Sequence, residues 1–379
     1  MNITTDTFID VAKENSCIPR ATLDALLALN PSYKCNVTQI KNRIANYRRK
    51  GLLPLDSGNY VSTGEFLKGS STLYGPDGEI KSQWIKTDVG KEQALEDFKS
   101  ALKELASELP KVPEITEPVK VVKEDLATVY VSNDIHFGLL TWDEETRVNW
   151  DTNKAVQTME KAYDYLFDCS PDSEIGIVVD LGDLTEADDF TNLTPHGKNP
   201  LDTDSRYPKV LKAAYQSLRY AITKALQKHK TVYFYNIAGN HDVSSGHAVR
   251  EVISAIFEDN PRVIICNSPT PIKYHQHGKT LLGFAHGDGL KFNRAGETMA
   301  IDNQDIFSST EHRFFHFGHT HVDAVKDGAI CRCESHRNIA PLNHWAYHKG
   351  FRRGCGTMKS ITYSKDNGEV SRNIFNVTP

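Results

Sequence analysis

Apolar and polar positions follow two different rhythms along this chain. In the first stretch the rhythm is helical. Thr7 to Asn15 predicts a short helix, and Ala21 to Leu29 a second with Leu23, Leu26, Leu27 and Leu29 on its apolar side. That helix stops at Asn30-Pro31, because the residue before proline is pushed away from helical backbone. A third is predicted from the cap Asn36 to Lys50, with Val37, Ile40 and Ile44 as its buried stripe and Gly51 as its stop. A turn-rich extended segment follows, Ser57 to Val61. Three short helices before such a segment resemble a winged helix-turn-helix domain.

Gly64 to Thr87 predicts short strands around Pro76-Asp77-Gly78, and Val89 to Leu109 a charged amphipathic helix with Leu95, Phe98, Leu102 and Leu105 on one side. That helix could serve as a spacer, a packing helix or a dimerisation element, so a homo-oligomer is open. Pro110 to Lys123, with three prolines and mixed charge, reads as a linker. The expected organisation is therefore 1–62 helical, 63–125 hairpin, helix and linker, and 126–379 a second domain.

From Leu126 the rhythm changes to strands alternating with helices. Strands are predicted at 127–132, 174–181 and 231–237, and helices at 152–167, 208–228 and 247–258. Strands dominate afterwards, at about 262–266, 271–276, 280–285, 313–317, 325–332, 357–363 and 370–376. An α/β half followed by a strand-rich half predicts two packed sheets with helices outside.

Composition adds little to this. The 379 residues are 39% hydrophobic and 25% charged, ordinary for a globular protein. No run approaches the ~18 apolar residues of a membrane helix, and the first residues lack a signal-peptide pattern. Seven thinly spread cysteines read as reduced thiols, which predicts a cytoplasmic location. Cys331-Arg332-Cys333, with His336 and Cys355, lacks the usual C-x₂₋₄-C zinc spacing. The net charge of −5 argues against indiscriminate nucleic-acid binding. Met1 to Tyr60, however, carries eight Lys/Arg against five acids, and Lys41, Arg48, Arg49 and Lys50 gather on the third helix. Those four side chains are the candidate nucleic-acid contacts, with DNA the expected partner.

The candidate chemistry lies in five short runs, each just after an apolar β-branched stretch. They are Asp134-Ile135-His136, Gly182-Asp183, Gly239-Asn240-His241-Asp242, His286-Gly287 and Gly318-His319-Thr320-His321. Strand ends hold side chains rigidly at a sheet edge, where α/β folds build their sites. Asp134 and His136 can turn toward one ion, Asp183 has two oxygens with which to bridge two, and Asn240 can offer an amide oxygen. His286, His319 and His321 complete the shells. Such oxygen and imidazole donors suit Mn²⁺, Fe or Zn²⁺, and two adjacent ions could clamp a phosphate and activate water.

In this order the runs resemble the calcineurin-like metallophosphoesterases, which include Mre11-type nucleases. The resemblance covers Leu126 to about Thr378 and implies a four-layer fold, two mixed β-sheets flanked by helices. It implies one divalent ion on Asp134, His136, Asp183 and His321, and a second on Asp183, Asn240, His286 and His319, with Mn²⁺ the expected metal. It implies that His241 contacts the phosphate and protonates the leaving oxygen, with Asp242 and Glu186 completing the catalytic set. Glu186 would hydrogen-bond His241, and Asp242 would orient or stabilise the loop. Gly182 to Asp188 lacks the arginine of the protein-phosphatase pattern G-D-x-x-D-R-G, which argues against a Ser/Thr phosphatase. The domain order also resembles metallophosphoesterases encoded by tailed phages.

Two further segments bear on substrate. The polar loop Phe190 to Tyr207 carries His196, Lys198 and Arg206, which could reach phosphates. The tail from Cys331 to Thr362 sets Trp345 and Tyr347 among basic residues; they could stack on bases while the basic side chains hold a backbone, or pack in the core, and packing is the favoured expectation. The reading is a dimetal phosphodiester hydrolase, a DNA nuclease or end-processing enzyme. A small cyclic-nucleotide phosphodiesterase is the first rival. A DNA-binding regulator with a structural metal domain is the second.

Overall fold

A computed structural model describes residues 3–15, 17–53, 65–74, 80–89, 123–352 and 356–377, with 65–74 and 80–89 described by backbone alone. The predicted segment 57–61, the turn at 76–78, and the predicted helix and linker between 90 and 122 lie outside the described residues. The chain divides into two compact units, Met1–Phe98 and Lys99–Pro379.

In the first unit, α1 (Thr5–Glu14), α2 (Pro19–Leu29) and α3 (Val37–Arg49) bury Phe8, Leu23, Leu26, Ile40 and Ile44 in a small core. The start of α3 is fixed locally. Asn36 Oδ1 accepts from the Gln39 amide at 2.9 Å, and Gln39 Oε1 accepts from the Asn36 amide at 2.9 Å, a reciprocal capping box. Gly51, at φ +69°, ends the helix in left-handed backbone. Lys41, Arg49 and Lys50 are exposed and Arg48 half-buried, with Lys50 just past the last helical turn. Arg43 is occupied internally: its guanidinium sits 4.2 Å over the Phe8 ring and donates to Tyr33 Oη at 2.9 Å. β1 (Glu65–Tyr74) and β2 (Ile80–Val89) form an antiparallel pair.

The second unit holds two mixed sheets. The strands of the first are β3 (Lys123–Ser132), β4 (Ser173–Asp180), β5 (Thr231–Asn236), β6 (Val263–Ile265), β12 (Thr357–Ser364) and β13 (Gly368–Asn376), in the order β13-β12-β3-β4-β5-β6. The strands of the second are β7 (Ile272–His277), β8 (Thr280–Ala285), β9 (His312–Phe317), β10 (Ala324–Asp327) and β11 (Arg332–Ser335), in the order β10-β11-β9-β8-β7. Strand alternation accounts for the layers. On the first sheet Tyr130, Val178 and Phe234 face the helices α5 (Thr152–Cys169), α6 (Tyr207–Lys228) and α7 (Val243–Ile256), while Val129, Val131, Ile177, Val179 and Tyr235 share a core with Leu282 and Phe284 of the second sheet. On that sheet's other face, Leu281 and Phe315 pack with Ala295 and Met299 of α8 (Phe292–Asp302). The order is helix, sheet, sheet, helix. Three short helices are also present among the described residues: α4 (Asp143–Thr146), α9 (Gln304–Phe307) and α10 (His344–His348). Among the described residues no helix is long and apolar enough to cross a membrane.

Register then positions the site. β3, β4 and β5 are parallel, with Ser132 level with Asp180 and Asp180 level with Asn236, so their carboxyl ends finish together. β8 and β9 are also parallel and finish together at Ala285 and Phe317. All five metal-type runs leave these five ends.

Three expectations need correction. The predicted strand 325–332 is two antiparallel strands, β10 and β11, joined through Gly328. Helix α8 was missed because its apolar positions are few, Ala295 and Met299 being the buried pair. Helix α7 begins at Val243, four residues before the predicted start at His247, because the Asp188 carboxylate, distant in sequence, accepts from the amides of Ser244 (2.9 Å) and Ser245 (2.7 Å).

Two buried histidines make part of the stability pH-dependent. His229 lies between Tyr130 Oη (2.9 Å) and the Ser173 carbonyl (2.9 Å), and His275 bonds Tyr235 Oη (2.9 Å). Burial lowers both pKa values to about 4. An imidazole kept neutral in the fold binds fewer protons than it does unfolded, where it titrates near ~6.5. Its stabilisation is therefore intact above pH ~6.5 and is lost as pH falls toward about 4. Ring-proton NMR titration should find midpoints near 4 for both, and a midpoint near 6 for either would contradict this assignment.

Candidate metal centre

The loops after the five strand ends converge through their own backbone. The Asp134 amide donates to the Gly182 carbonyl at 2.9 Å and the His136 amide to the Asp183 carbonyl at 3.0 Å. The amide of His319 donates to the Asp134 carboxylate at 2.9 Å, and that of His241 to Asp183 Oδ1 at 2.7 Å. Each carboxylate is therefore aimed by another loop's amide. Two glycines make room for this: a Cβ on Gly239 would stand 2.2 Å from Asp183 Oδ1, and one on Gly318 would stand 2.7 Å from Asp134 Oδ2.

The side chains gather into two groups that share one cavity. Asp134, His136 and His321 form one, and Asp183, His286 and His319 the other, with donor atoms within 4.8 Å of each other in each group. His321 Nε2 is 3.0 Å from Asp134 Oδ1. His286 Nε2 is 3.1 Å from Asn240 Oδ1 and 3.3 Å from Asp183 Oδ2. Its Nδ1 donates to the Leu181 carbonyl at 2.8 Å, which leaves Nε2 as the atom facing the carboxylate and the amide oxygen. All seven sequence-predicted ligands are thus brought to one edge.

Two observations test whether this set fits divalent metal. First, Asp134, His136, Asp183, His319 and His321 all have positive φ, between 45° and 65°. Left-handed backbone costs a non-glycine residue about 1–3 kcal/mol, and here it falls on five of the seven ligands. Second, the electrostatics call for positive charge. Burial works against ionisation of Asp134 and Asp183, yet neighbouring imidazoles, His321 and His286 foremost, hold both below the usual carboxylate range. Burial likewise disfavours charge on His136, but Glu186, then Asp183 and Asp134, raise its pKa to about 9. His286 is raised to about 10 by Asp183 and Asp134 against the same burial. The carboxylates thus raise the proton affinity of these two rings, as a site with excess negative charge does. Carboxylate, imidazole and amide donors without thiolate suit Mn²⁺, Fe or Zn²⁺.

Glu186 differs from expectation in its partner, whereas Asp242 takes the loop-stabilising place expected of it. The Glu186 carboxylate does not hydrogen-bond His241: Oε2 is 4.0 Å from His241 Nδ1 but 2.7 Å from His136 Nδ1. It is the Glu186 backbone carbonyl that accepts from His241 Nδ1, at 2.8 Å. The carboxylate instead pairs electrostatically with the ring of His136, a candidate ligand. Asp242 is fully buried and does not reach the cleft. Its carboxylate accepts from the amides of Gly239 (2.6 Å), Leu184 (2.9 Å) and Asp183 (3.2 Å), tying two ligand loops together. It holds the two loops in position.

Sequence reasoning missed three supports. Asn133 Nδ2 donates to Asp134 Oδ2 at 2.7 Å, Asn338 Nδ2 donates to the Asp134 carbonyl at 3.1 Å, and Asp188 caps the helix behind His241. The Asn133-Asp134 adjacency was a visible signal, whereas the tertiary bond of Asn338 left none. Lys41, Arg48, Arg49 and Lys50 belong to the first unit. His196, Lys198 and Arg206 are exposed and none lines the cavity. That cavity, about 480 Å³, is also lined by Pro341, Leu342, Asn343, Trp345, Ala346, Phe351 and Arg352. Trp345 is 61% exposed there, so its expected place in the core is wrong. Cys331 and Cys333 lie with Sγ atoms 3.7 Å apart and join no metal-type group among the described residues, while His336 pairs with His316.

No protein-family model and no curated protein matches the chain. Solved structures do. A novel archaeal phosphodiesterase is 13% identical, with 65% of this chain and 99% of that one covered at a TM-score of 0.32. Yfce, a phosphoesterase from E. coli, is 12% identical over 65% of this chain and 98% of its own, at 0.32. Vps29 from Entamoeba histolytica, complexed with Zn²⁺, is 12% identical over 66% and 98%, at 0.29. Likeness at this level says nothing of chemistry, and the side-chain geometry has to carry it.

The Glu186–His136 contact predicts a measurable effect on metal binding. Glu186→Gln removes the charge that pairs with the ligating ring and should weaken divalent-metal affinity about 10–100-fold, read by chelator competition. Unchanged affinity would show that His136 needs no such partner.

Proposed function

We propose that this chain is a two-metal phosphodiester hydrolase acting on nucleic acid, with DNA the expected substrate. The observation that carries the reading is the convergence of seven oxygen and nitrogen donors beside a histidine that is not one of them. Asp134, His136 and His321 would hold one ion, and Asn240, His286 and His319 the other. Asp183, fixed by the His241 amide, would face both. When bound, the ions supply Lewis acidity for the phosphate and for water. The expected metal is Mn²⁺, with Fe or Zn²⁺ compatible.

The chain's own residues do the rest. His241 stands at the cavity with Nδ1 donating to the Glu186 carbonyl, so Nε2 is the atom free to hand a proton to the departing oxygen. The cap from Asp188 and the tie from Asp242 keep that ring's loop in place. The missing arginine clamp favours diester over monoester. In the first unit, Arg48, Arg49 and Lys50 lie at or just past the end of α3 and Lys41 two turns earlier, and the four are proposed to contact DNA phosphates, raising the local concentration of substrate.

Two experiments test these statements. With Mn²⁺, the chain should cut single- or double-stranded DNA, and His241→Ala should lower kcat by about 10²–10⁴. If neither DNA is cut while bis-p-nitrophenyl phosphate is still turned over, the substrate is a small nucleotide instead. Metal binding with every phosphodiester untouched would favour a regulator. Separately, replacing Lys41, Arg49 and Lys50 with glutamine in the full chain should weaken duplex DNA binding and lower its log–log salt slope by about three. An unchanged slope would place DNA contact elsewhere or nowhere.

A further inference from the structure

Besides the candidate metal ligands, the cavity is lined by large apolar and basic side chains left open. Trp345 is 61% exposed and Phe351 55%, and their ring centroids lie 6.0 Å apart at 32°. The Arg352 guanidinium is held over the Tyr347 ring at 3.9 Å and donates to the Tyr347 and Phe351 carbonyls at 2.9 and 2.6 Å. The segment is anchored. Asn343 Oδ1 caps α10 through the Ala346 amide at 2.9 Å, and His344 Nδ1 is 3.4 Å from Glu145 Oε2. Two exposed aromatic rings beside a fixed guanidinium form a surface that water solvates poorly. They face the same cavity as His241 and His321, and at about 480 Å³ that cavity matches the size of small-ligand sites.

From this placement we propose that Trp345, Phe351 and Arg352 form a subsite for an unpaired nucleobase flanking the scissile phosphate. The inference rests on the proposed phosphodiester reaction and narrows its substrate. Aromatic side chains accept a base only on its face, and in a duplex that face is covered by neighbouring pairs. A bound substrate therefore presents a splayed base, either from a single strand or end, or from a free nucleotide. Arg352 adds attraction for the adjoining phosphate.

The test uses the full chain and a fluorescence titration in chelator, which reads the wall without turnover. The probes are a short oligothymidylate, the same strand with abasic residues, and cyclic AMP. Wild-type tryptophan emission should be quenched by the base-bearing probes, with affinity about tenfold or more above the abasic strand. Trp345→Leu, at an exposed position, should abolish both the quench and the preference. Tighter capture of the oligonucleotide identifies a strand as the source, and tighter capture of cyclic AMP a small nucleotide. Either supports the subsite. Equal affinity for base-bearing and abasic strands, or an unaltered preference in Trp345→Leu, overturns it. With Mn²⁺, the ratio of kcat/KM for base-bearing over abasic strand should fall toward one in the same variant. Quenching that depends on Trp345 without any cleavage would fail the proposed reaction and leave the subsite standing. Cleavage with no base preference would do the reverse.

Discussion

Two carboxylates, Asp134 and Asp183, are buried close enough to repel each other at the edge of one sheet. Like charges out of water are tolerated only when something positive lies between or beside them. The second unit can be understood as the apparatus that keeps this arrangement in place. Amides from neighbouring loops aim the oxygens, imidazoles crowd around them, and Glu186 presses on the ring of His136 from behind. The carboxylates raise the proton affinity of His136 and His286 in particular.

The fold makes such crowding possible because the strands do not have to move. β3, β4 and β5 end in register, β8 and β9 end in register, and apolar layers on both faces lock them. The strain sits in the loops, in five ligands with left-handed backbone. At about 1–3 kcal/mol each, that strain needs a rigid surround, and Asp242, accepting three amides from two loops, supplies part of it.

Much of this was legible in the sequence, and the limits were physical. Strand interiors buried on both faces read as apolar β-branched runs, so the places where ligands emerge could be found within a residue or two. Asn36 and Gln39 cap α3 by contacts three residues apart, and such local chemistry can be read directly. What could not be read depends on distant partners. Asp188 starts α7 from another loop, Glu186 turned its carboxylate to His136 and only its carbonyl to His241, and Asn338 reaches Asp134 across 204 positions. Trp345 reads as a core or a base-stacking residue, packing being the favoured reading, because an aromatic residue in a sequence gives no sign of which side faces water. Its exposure is what turns a polar metal cleft into one with an apolar wall.

The central claim is that two divalent ions share Asp183. Anomalous scattering from crystals soaked in Mn²⁺ tests it most directly. The account predicts two peaks in this cavity, one against Asp134, His136 and His321, the other against Asn240, His286 and His319, both within bonding reach of Asp183. A single peak, or peaks elsewhere with these side chains still bonded to each other, would contradict it.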